Sequence, residues 1–330
     1  MININFVELN DDILTIIFDL FKKNELEIIA FTNKKIFNYC NKLINNIISN
    51  PYQIIYEIKP HNLCINNIEF FKNGDLLTCS EDCKLKVINL LKNKCSYEVC
   101  KHTGPINDCI IYNNQKKFIS ASNDGVLCVW SNEENEPWYE IIYIHDEPVI
   151  KCFLTKDEDV IACTLSGIIN IWDSEFSFMY SINKWQVINE LPLGDDLYYQ
   201  IQLASRRFQI GISYKIDQYY YIGKGNIITT RKHYNNLNII NLKYKCCHSY
   251  YVGHNDRITA CCLDKKHNII STCYKYIKIW DRWNKNNKKP KISFKHKCLE
   301  INILKTDNNG NIVAACSDGT IKCWKINPKI

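Results

Sequence analysis

From Tyr52 onward the chain is a succession of short apolar runs of four to seven residues, alternating or fully hydrophobic and separated by tight-turn signals. Lys117-Phe118-Ile119-Ser120-Ala121 and Val126-Leu127-Cys128-Val129-Trp130 flank Asn123-Asp124-Gly125, and this arrangement predicts a β-hairpin. The first fifty residues keep a different period. Ile13, Leu14, Ile17, Phe18 and Phe21 fall at i, i+1, i+4, i+5 and i+8, one apolar stripe of a helix, with Asn10 as N-cap and Asp11 and Asp12 at its positive end. A second short helix is expected around Leu26, Ile29 and Ala30. A third carries Ile36, Phe37, Cys40, Leu43, Ile44, Ile47 and Ile48 and stops before Pro51. The pattern predicts a small all-α segment over 1–50 and a mainly β domain over 51–330.

The β domain repeats itself. Five segments align, each from a histidine (His61, His102, His145, His254, His296) to an apolar or tryptophan position (Ile88, Trp130, Trp172, Trp280, Trp324). The intervals are 27, 28, 27, 26 and 28 residues. Successive end positions lie 42, 42 and 44 residues apart, with a gap of 108 between Trp172 and Trp280. Leu237-Asn238-Ile239-Ile240-Asn241 echoes Leu85-Lys86-Val87-Ile88-Asn89 and places one degenerate copy in that gap. A further eroded unit falls around Tyr198 to Ser213, so blades 4 and 5, about 174–252, are degenerate. Seven units result, at roughly 39 residues each, near the ~40–45 of a four-stranded propeller blade. One such sheet cannot bury both its faces alone; packed against neighbours around a ring it can.

These units resemble WD repeats over roughly residues 52–330, and the resemblance implies a seven-bladed β-propeller. It also implies a buried network in each blade, made by the histidine, a turn aspartate and the tryptophan. The residues in those places are His102, Asp124 and Trp130; His145 and Trp172; His254 and Trp280; and His296, Asp318 and Trp324, with His61 and Asp82 before Ile88. Ser166 and Tyr274 replace the aspartate in two units, so those networks should be incomplete. Recurrence once per unit marks these pairs as scaffold rather than catalytic or metal-binding groups. Tyr52–Ile58 is the expected outer strand of the last blade.

The N-terminal segment resembles an F-box. Leu9-Asn10-Asp11-Asp12-Ile13-Leu14-Thr15-Ile16-Ile17-Phe18-Asp19-Leu20 follows the family pattern, and Glu25-Leu26 matches its acidic-Leu pair. Asn10 replaces the usual proline, and no cysteine stands near Asn33-Lys34. The resemblance implies that Leu9, Asp12, Ile13, Leu14, Ile17, Phe18, Leu20 and Leu26 bind a Skp-type adaptor of a cullin–RING ubiquitin ligase. Three short helices cannot enclose this much isoleucine, leucine and phenylalanine alone, so the propeller or another protein must cover part of it. The whole chain then reads as a substrate-recognition subunit whose propeller holds an unknown target protein. The alternatives are a WD scaffold unrelated to ubiquitin and a viral or parasite decoy that occupies a host adaptor, the latter suggested by an AT-rich codon bias in residue usage.

In the family, target-gripping residues sit five after the blade histidine or just before the turn aspartate. Here those places supply Asn66, Asn107, Thr259, Glu81, Asn123 and Ser317, together with Ile150 and Ile301; Arg257 is the one basic residue near the same rim, and Arg231 joins Arg206, Arg207, Lys232 and His233 in a candidate basic patch of the eroded units. None of the listed family positions is arginine, and the chain has five arginines against thirty-six lysines. Bidentate phosphate recognition favours arginine, so a phosphate-gripping site of the usual kind is disfavoured. Lys285 to Lys297 reads as an outer loop.

Composition narrows the classes further. The 330 residues (38.8 kDa) are 46% hydrophobic and 23% charged, which excludes wholesale disorder. A net charge of +6 is too mild to argue for a nucleic-acid partner. No apolar run approaches the length of a membrane span, and the acidic N-terminus does not read as a secretory signal. The eighteen cysteines show no C-x-x-C, and many lie inside strand-like runs as small apolar side chains, which reads as reduced thiols in the cytoplasm, or the host cytoplasm or nucleus for a viral protein. Cys246-Cys247-His248 lacks a fourth metal ligand. No nucleotide, zinc-hydrolase or nucleophile-elbow motif is present, so the reading calls for no catalytic residue, no metal and no cofactor.

Overall fold

The computed structural model describes residues 52–90, 92–112, 117–131, 139–144, 146–155, 157–182, 218–222, 226–231, 234–241, 246–283 and 289–326. The helices expected over 1–50 and the unit expected around Tyr198 to Ser213 lie outside the described residues. The described strands fall almost wholly in one compact unit, Ile54–Lys325.

Among the described residues, β1 (Tyr52–Ile58) precedes five antiparallel meanders of four strands. The first comprises β2 (Ile65–Phe70), β3 (Leu76–Ser80), β4 (Leu85–Asn89) and β5 (Lys94–Val99). The second comprises β6 (Ile106–Tyr112), β7 (Lys117–Ser122), β8 (Val126–Ser131) and β9 (Tyr139–Ile144). The third holds β10 (Val149–Leu154), β11 (Val160–Thr164), β12 (Ile169–Trp172) and β13 (Phe178–Ile182). The fourth holds β14 (Gln218–Tyr221), β15 (Asn226–Arg231), β16 (Tyr234–Asn241) and β17 (Cys246–Val252). The fifth holds β18 (Ile258–Leu263), β19 (Ile269–Cys273), β20 (Tyr276–Trp280) and β21 (Ile292–Lys295). Last come β22 (Ile301–Thr306), β23 (Ile312–Cys316) and β24 (Ile321–Ile326), and β1 joins β24 as the fourth strand of this sixth sheet. Strand from before the first sheet thus completes the last one, and the sheet edge that β24 would expose is covered.

The first strands line up from sheet to sheet: β2 packs on β6, β6 on β10, β14 on β18, β18 on β22, and β22 on β2. This is a propeller-like ring, mainly β, with no helix among the described residues. The burial follows from it. In β3, β11, β19 and β23 every residue is buried, because a second strand is covered on both faces by adjoining sheets. That is why those strands are built throughout from apolar or small hydroxyl-bearing residues rather than alternating apolar with charged ones. Trp130, Trp172, Trp280 and Trp324 fill the spaces between sheets and are at most 1% exposed.

The pairing of first and second strands slips at the same place in five sheets: between Ile65 and Asn67, Ile106 and Asp108, Val149 and Lys151, Ile258 and Ala260, and Ile301 and Ile303. Each slip is a β-bulge that sets one residue (Asn66, Asn107, Ile150, Thr259, Asn302) outside the ladder at the head of the innermost strand. In the first, second, third and sixth sheets the turn between second and third strands takes a left-handed residue, while the shorter Tyr274-Lys275 turn of the fifth does not. Gly125, Gly167 and Gly319 supply it at φ 80, 88 and 80°, and Cys83 takes the same conformation at φ 65° in the first sheet.

Candidate functional site

In an antiparallel meander the loop entering the first strand and the turn between the second and third share one end of the sheet. That end of the ring gathers the expected target-face residues Glu81, Asn123, Arg257, Thr259 and Ser317, and beneath it lie the histidine networks. Arg231 ends β15 at the same end, and its side chain lies outside the described residues.

The second sheet builds the network completely. His102 Nδ1 donates to Asp124 Oδ2 at 3.0 Å, and its Nε2 lies 2.7 Å from Ser120 Oγ. Trp130 Nε1 donates to the same Ser120 oxygen at 2.8 Å. Asp124 also accepts the amides of Thr103 (2.8 Å) and Val126 (2.9 Å). One proton assignment satisfies every group: indole N–H to the serine oxygen, serine O–H to imidazole Nε2, imidazole Nδ1–H to the carboxylate. Burial pushes the His102 pKa down despite Asp124, in keeping with a neutral ring that accepts at Nε2. Burial opposes ionisation of Asp124, but the Val126 and Thr103 amides and His102 together hold its carboxyl below the ordinary range.

The other sheets are partial versions. In the first, His61 Nδ1 meets Asp82 at 2.9 Å and Nε2 meets Thr78 Oγ1 at 2.8 Å, while Ile88 stands where the indole would be. In the fifth, His254 Nε2 and Trp280 Nε1 share Ser271 Oγ at 2.6 and 2.7 Å. Tyr274 takes the aspartate's place and points outward, 56% exposed, which leaves His254 Nδ1 buried without a partner. Burial, helped by Lys278, drives the His254 pKa down to about 3. In the third sheet Glu147, from the entering loop, takes the carboxylate's place: it accepts the amide of Ser166 at 3.0 Å and also its hydroxyl. Trp172 is buried there, and His145 lies outside the described residues.

The sixth sheet departs from expectation. His296 does not pair with Asp318; its Nε2 meets the Cys273 carbonyl at 2.9 Å and Thr272 Oγ1 at 3.3 Å in the preceding sheet. Asp318 instead caps its own turn through the amide and hydroxyl of Thr320, at 3.0 and 2.6 Å. The cause is loop length. Three residues separate the histidine from the first strand in the first, second and fifth sheets, but four separate His296 from Ile301. The same offset corrects the target-face register: Ile301 begins β22, and the bulge residue is Asn302. Ala314, opposite Lys322, also removes the hydroxyl through which Trp324 would join a network.

The hydroxyl hub (Ser120, Ser271, Thr78) was not singled out in the sequence; its signal was a serine or threonine nine or ten residues before the tryptophan position. Three expected target-face residues are engaged within the ring. Asn66 Nδ2 donates to the Ile106 carbonyl (2.9 Å), and Asn107 Nδ2 donates to the Val149 carbonyl and to Asn123 Oδ1 (both 2.8 Å), so each ties its sheet to the next or to its own turn. Just below them a belt crosses three sheets. Asp108, 2% exposed, accepts Asn67 Nδ2 at 2.5 Å, Lys151 Nζ at 3.0 Å and the Cys152 amide at 3.1 Å.

None of the fifteen described cysteines forms a disulfide, and no group of potential metal ligands occurs among the described residues. The side chains of Cys246, Cys247 and His248 lie outside that set. No helix among the described residues is long and apolar enough to cross a membrane.

The repeat family described as "WD domain, G-beta repeat" matches residues 52–89, 93–131, 244–281 and 288–325, so the chain carries WD40 repeats. Among curated proteins it is 24% identical over 96 residues to the SIR4-interacting protein SIF2 of Saccharomyces cerevisiae, which covers 28% of this chain and 16% of that protein. It is 24% identical over 128 residues to the Target of rapamycin complex subunit wat1 of Schizosaccharomyces pombe, covering 36% of this chain and 41% of the relative. The chain thus spans less than half the length of either relative. Among solved structures, the WD40 beta propeller domain of Doa1 aligns over 84% of this chain and 98% of that one, at 12% identity and a TM-score of 0.45.

Proposed function

We propose that this protein is a non-catalytic scaffold that brings partner proteins together on its ring of WD40 blades. We further propose that residues 1–50 recruit a Skp-type adaptor, so that the ring presents a target protein to a cullin–RING ubiquitin ligase. The observation that carries the scaffold reading is the set of WD40 repeats, and the His102–Asp124–Ser120–Trp130 network of the second sheet serves to hold its turn and strands. The adaptor reading is supported by the sequence run Leu9–Leu20, placed immediately before such repeats. Ligase chemistry would then belong to the partners, and this chain would contribute proximity and choice of target.

The test is co-elution of the purified chain with a Skp-type adaptor, repeated with the double substitution Ile13→Asp and Phe18→Asp. The double variant should lose the adaptor while the ring keeps its melting temperature. Undiminished co-elution of the double variant would remove the F-box assignment of residues 1–50, and no co-elution of either form would leave the scaffold alone. A scaffold unrelated to ubiquitin is the second reading, favoured by relatives named as a complex subunit and as an interacting protein. It predicts no adaptor binding by either form.

A further inference from the structure

The two ends of the ring differ in charge in a way the net charge conceals. At the end opposite the histidine networks lie the turns between first and second strands and the connections between third and fourth. In the third sheet these carry Asp157, Glu158, Asp159, Asp173 and Glu175. In the fifth they carry Lys265, Lys266, Arg282, Lys289 and Lys291. The two acids of that fifth sector, Asp264 and Asp281, hydrogen-bond backbone amides and leave its described residues three positive charges in excess, five basic against two acidic. Asp264 accepts the amides of Lys266 (2.8 Å) and Asn268 (2.7 Å), and Asp281 accepts the amide of Trp283 (2.9 Å). The modest whole-chain charge is therefore a sum over opposed sectors and sets no limit on a local basic patch.

Trp283 stands in the middle of the basic sector, 68% exposed, with the Arg282 guanidinium 5.6 Å from its ring centroid. It is held there from two sides. The Asp281 carboxylate fixes the Trp283 amide, and the hydroxyl of Tyr251, on the preceding sheet, donates to the Arg282 carbonyl at 3.3 Å. Across the connection, the Lys291 amide donates to the Ile279 carbonyl at 2.7 Å, which sets Lys291 beside the start of the same loop. An exposed indole on an anchored loop, backed by a guanidinium and set at the same end of the sheet as four lysines, has the parts of a base-stacking platform: a flat π-surface for one base and point charges for the flanking phosphates. A bilayer would need several neighbouring large apolar groups, and Trp283 is the one exposed large hydrophobic among the described residues of this sector. Lysines that contact phosphate as point charges also imply little sequence preference.

We infer that the fifth-sheet sector around Trp283 binds single-stranded nucleic acid, with Trp283 stacking on a base and Lys265, Lys266, Lys289 and Lys291 contacting the backbone. The site lies at the opposite end of the ring from the target-face residues and does not depend on adaptor binding by residues 1–50.

The test is fluorescence anisotropy of a fluorescein-labelled oligouridylate of about 15 nucleotides with the full chain. Four phosphate contacts on a single strand give a slope of about −3 in log affinity against log salt, so binding should weaken roughly fifty-fold between 50 and 200 mM KCl. Trp283→Ala should weaken it by roughly ten-fold or more, the loss of one stacked base. Lys266→Glu with Lys291→Glu should remove it, while Lys72→Glu at the first sheet should leave it unchanged. All these positions are exposed, so melting temperatures should hold. No binding at 50 mM KCl, or binding indifferent to Trp283→Ala and to the double charge reversal, overturns the inference. So does equal or tighter binding of a poly-glutamate peptide of the same length, which would assign the sector to an acidic protein segment.

Discussion

Ser120→Ala tests whether the second sheet rests on a proton chain or on shape alone. Ser120 is fully buried, and its oxygen serves the Trp130 indole at 2.8 Å and the His102 ring at 2.7 Å. Alanine nearly conserves volume, so the packing contribution is small. It leaves a buried indole N–H and a buried imidazole nitrogen without partners, since Trp130 and His102 are 1% and 5% exposed. Each orphaned group costs about 1–3 kcal/mol, so the variant should lose about 2–4 kcal/mol. In a domain of this size that lowers the melting temperature by about 3–7 °C. Urea unfolding followed by tryptophan fluorescence, with calorimetry beside it, measures the loss. The decisive arm is a double-mutant cycle with Trp130→Phe, which removes the N–H that needs the serine. In that background Ser120→Ala should be milder by about 1 kcal/mol or more. If the serine costs less than about 0.5 kcal/mol, or the same in both backgrounds, the shared-hydroxyl assignment is wrong.

Other consequences can be checked by stability measurements. A Cβ at Gly319 (φ 80°) would sit 2.1 Å from the His61 carbonyl oxygen, whereas one at Gly310 (φ 81°) meets nothing within 4 Å. Gly310→Ala should therefore cost only the backbone term, about 1 kcal/mol, and Gly319→Ala distinctly more, read from urea midpoints. Asp108→Ala strands Asn67, the Cys152 amide and Lys151 and should cost about 3 kcal/mol. That is the low end for a broken buried pair, because the Lys151 side chain is 44% exposed; Asp108→Leu with Lys151→Met should recover part of it. The folded-state pKa of His254 lies near 3, below its unfolded value, so the unfolded chain takes up the proton first. That contribution to stability is complete above pH ~6.5 and declines by about 1.4 kcal/mol per unit as pH falls toward 3. His254→Gln should flatten the profile between pH 6.5 and 4 relative to the parent. Parallel profiles would show that His254 is not the buried neutral group. His61, His102 and His296 are also shifted down by burial, so the difference between the two curves is the quantity to read.

The closing role of Tyr52–Ile58 follows from what a ring needs of the chain before its first full unit; the repeat itself, the strand runs that define it and the pairings His61–Asp82 and His102–Asp124 were legible in the amino-acid order. These features are local: a period of two, a turn glycine, or a histidine and an aspartate about twenty residues apart on one meander. Where local spacing and tertiary placement came apart, the chain alone misled. His296 lies 28 residues from Trp324, as His102 does from Trp130, yet one extra loop residue moves it out of its slot and onto the previous sheet. The bulges that turn Asn66 and Asn107 into ties between sheets leave no mark in the hydrophobic pattern, because an added residue is absorbed without changing which face is apolar. Asn67, Asp108 and Lys151 stand 41 and 43 residues apart and become neighbours only because successive first strands pack in register around the ring. The same packing sorts turns from different blades onto one end, so that acids collect over the third sheet and lysines over the fifth. Composition sums charge along the chain; only the fold decides which charges share a surface.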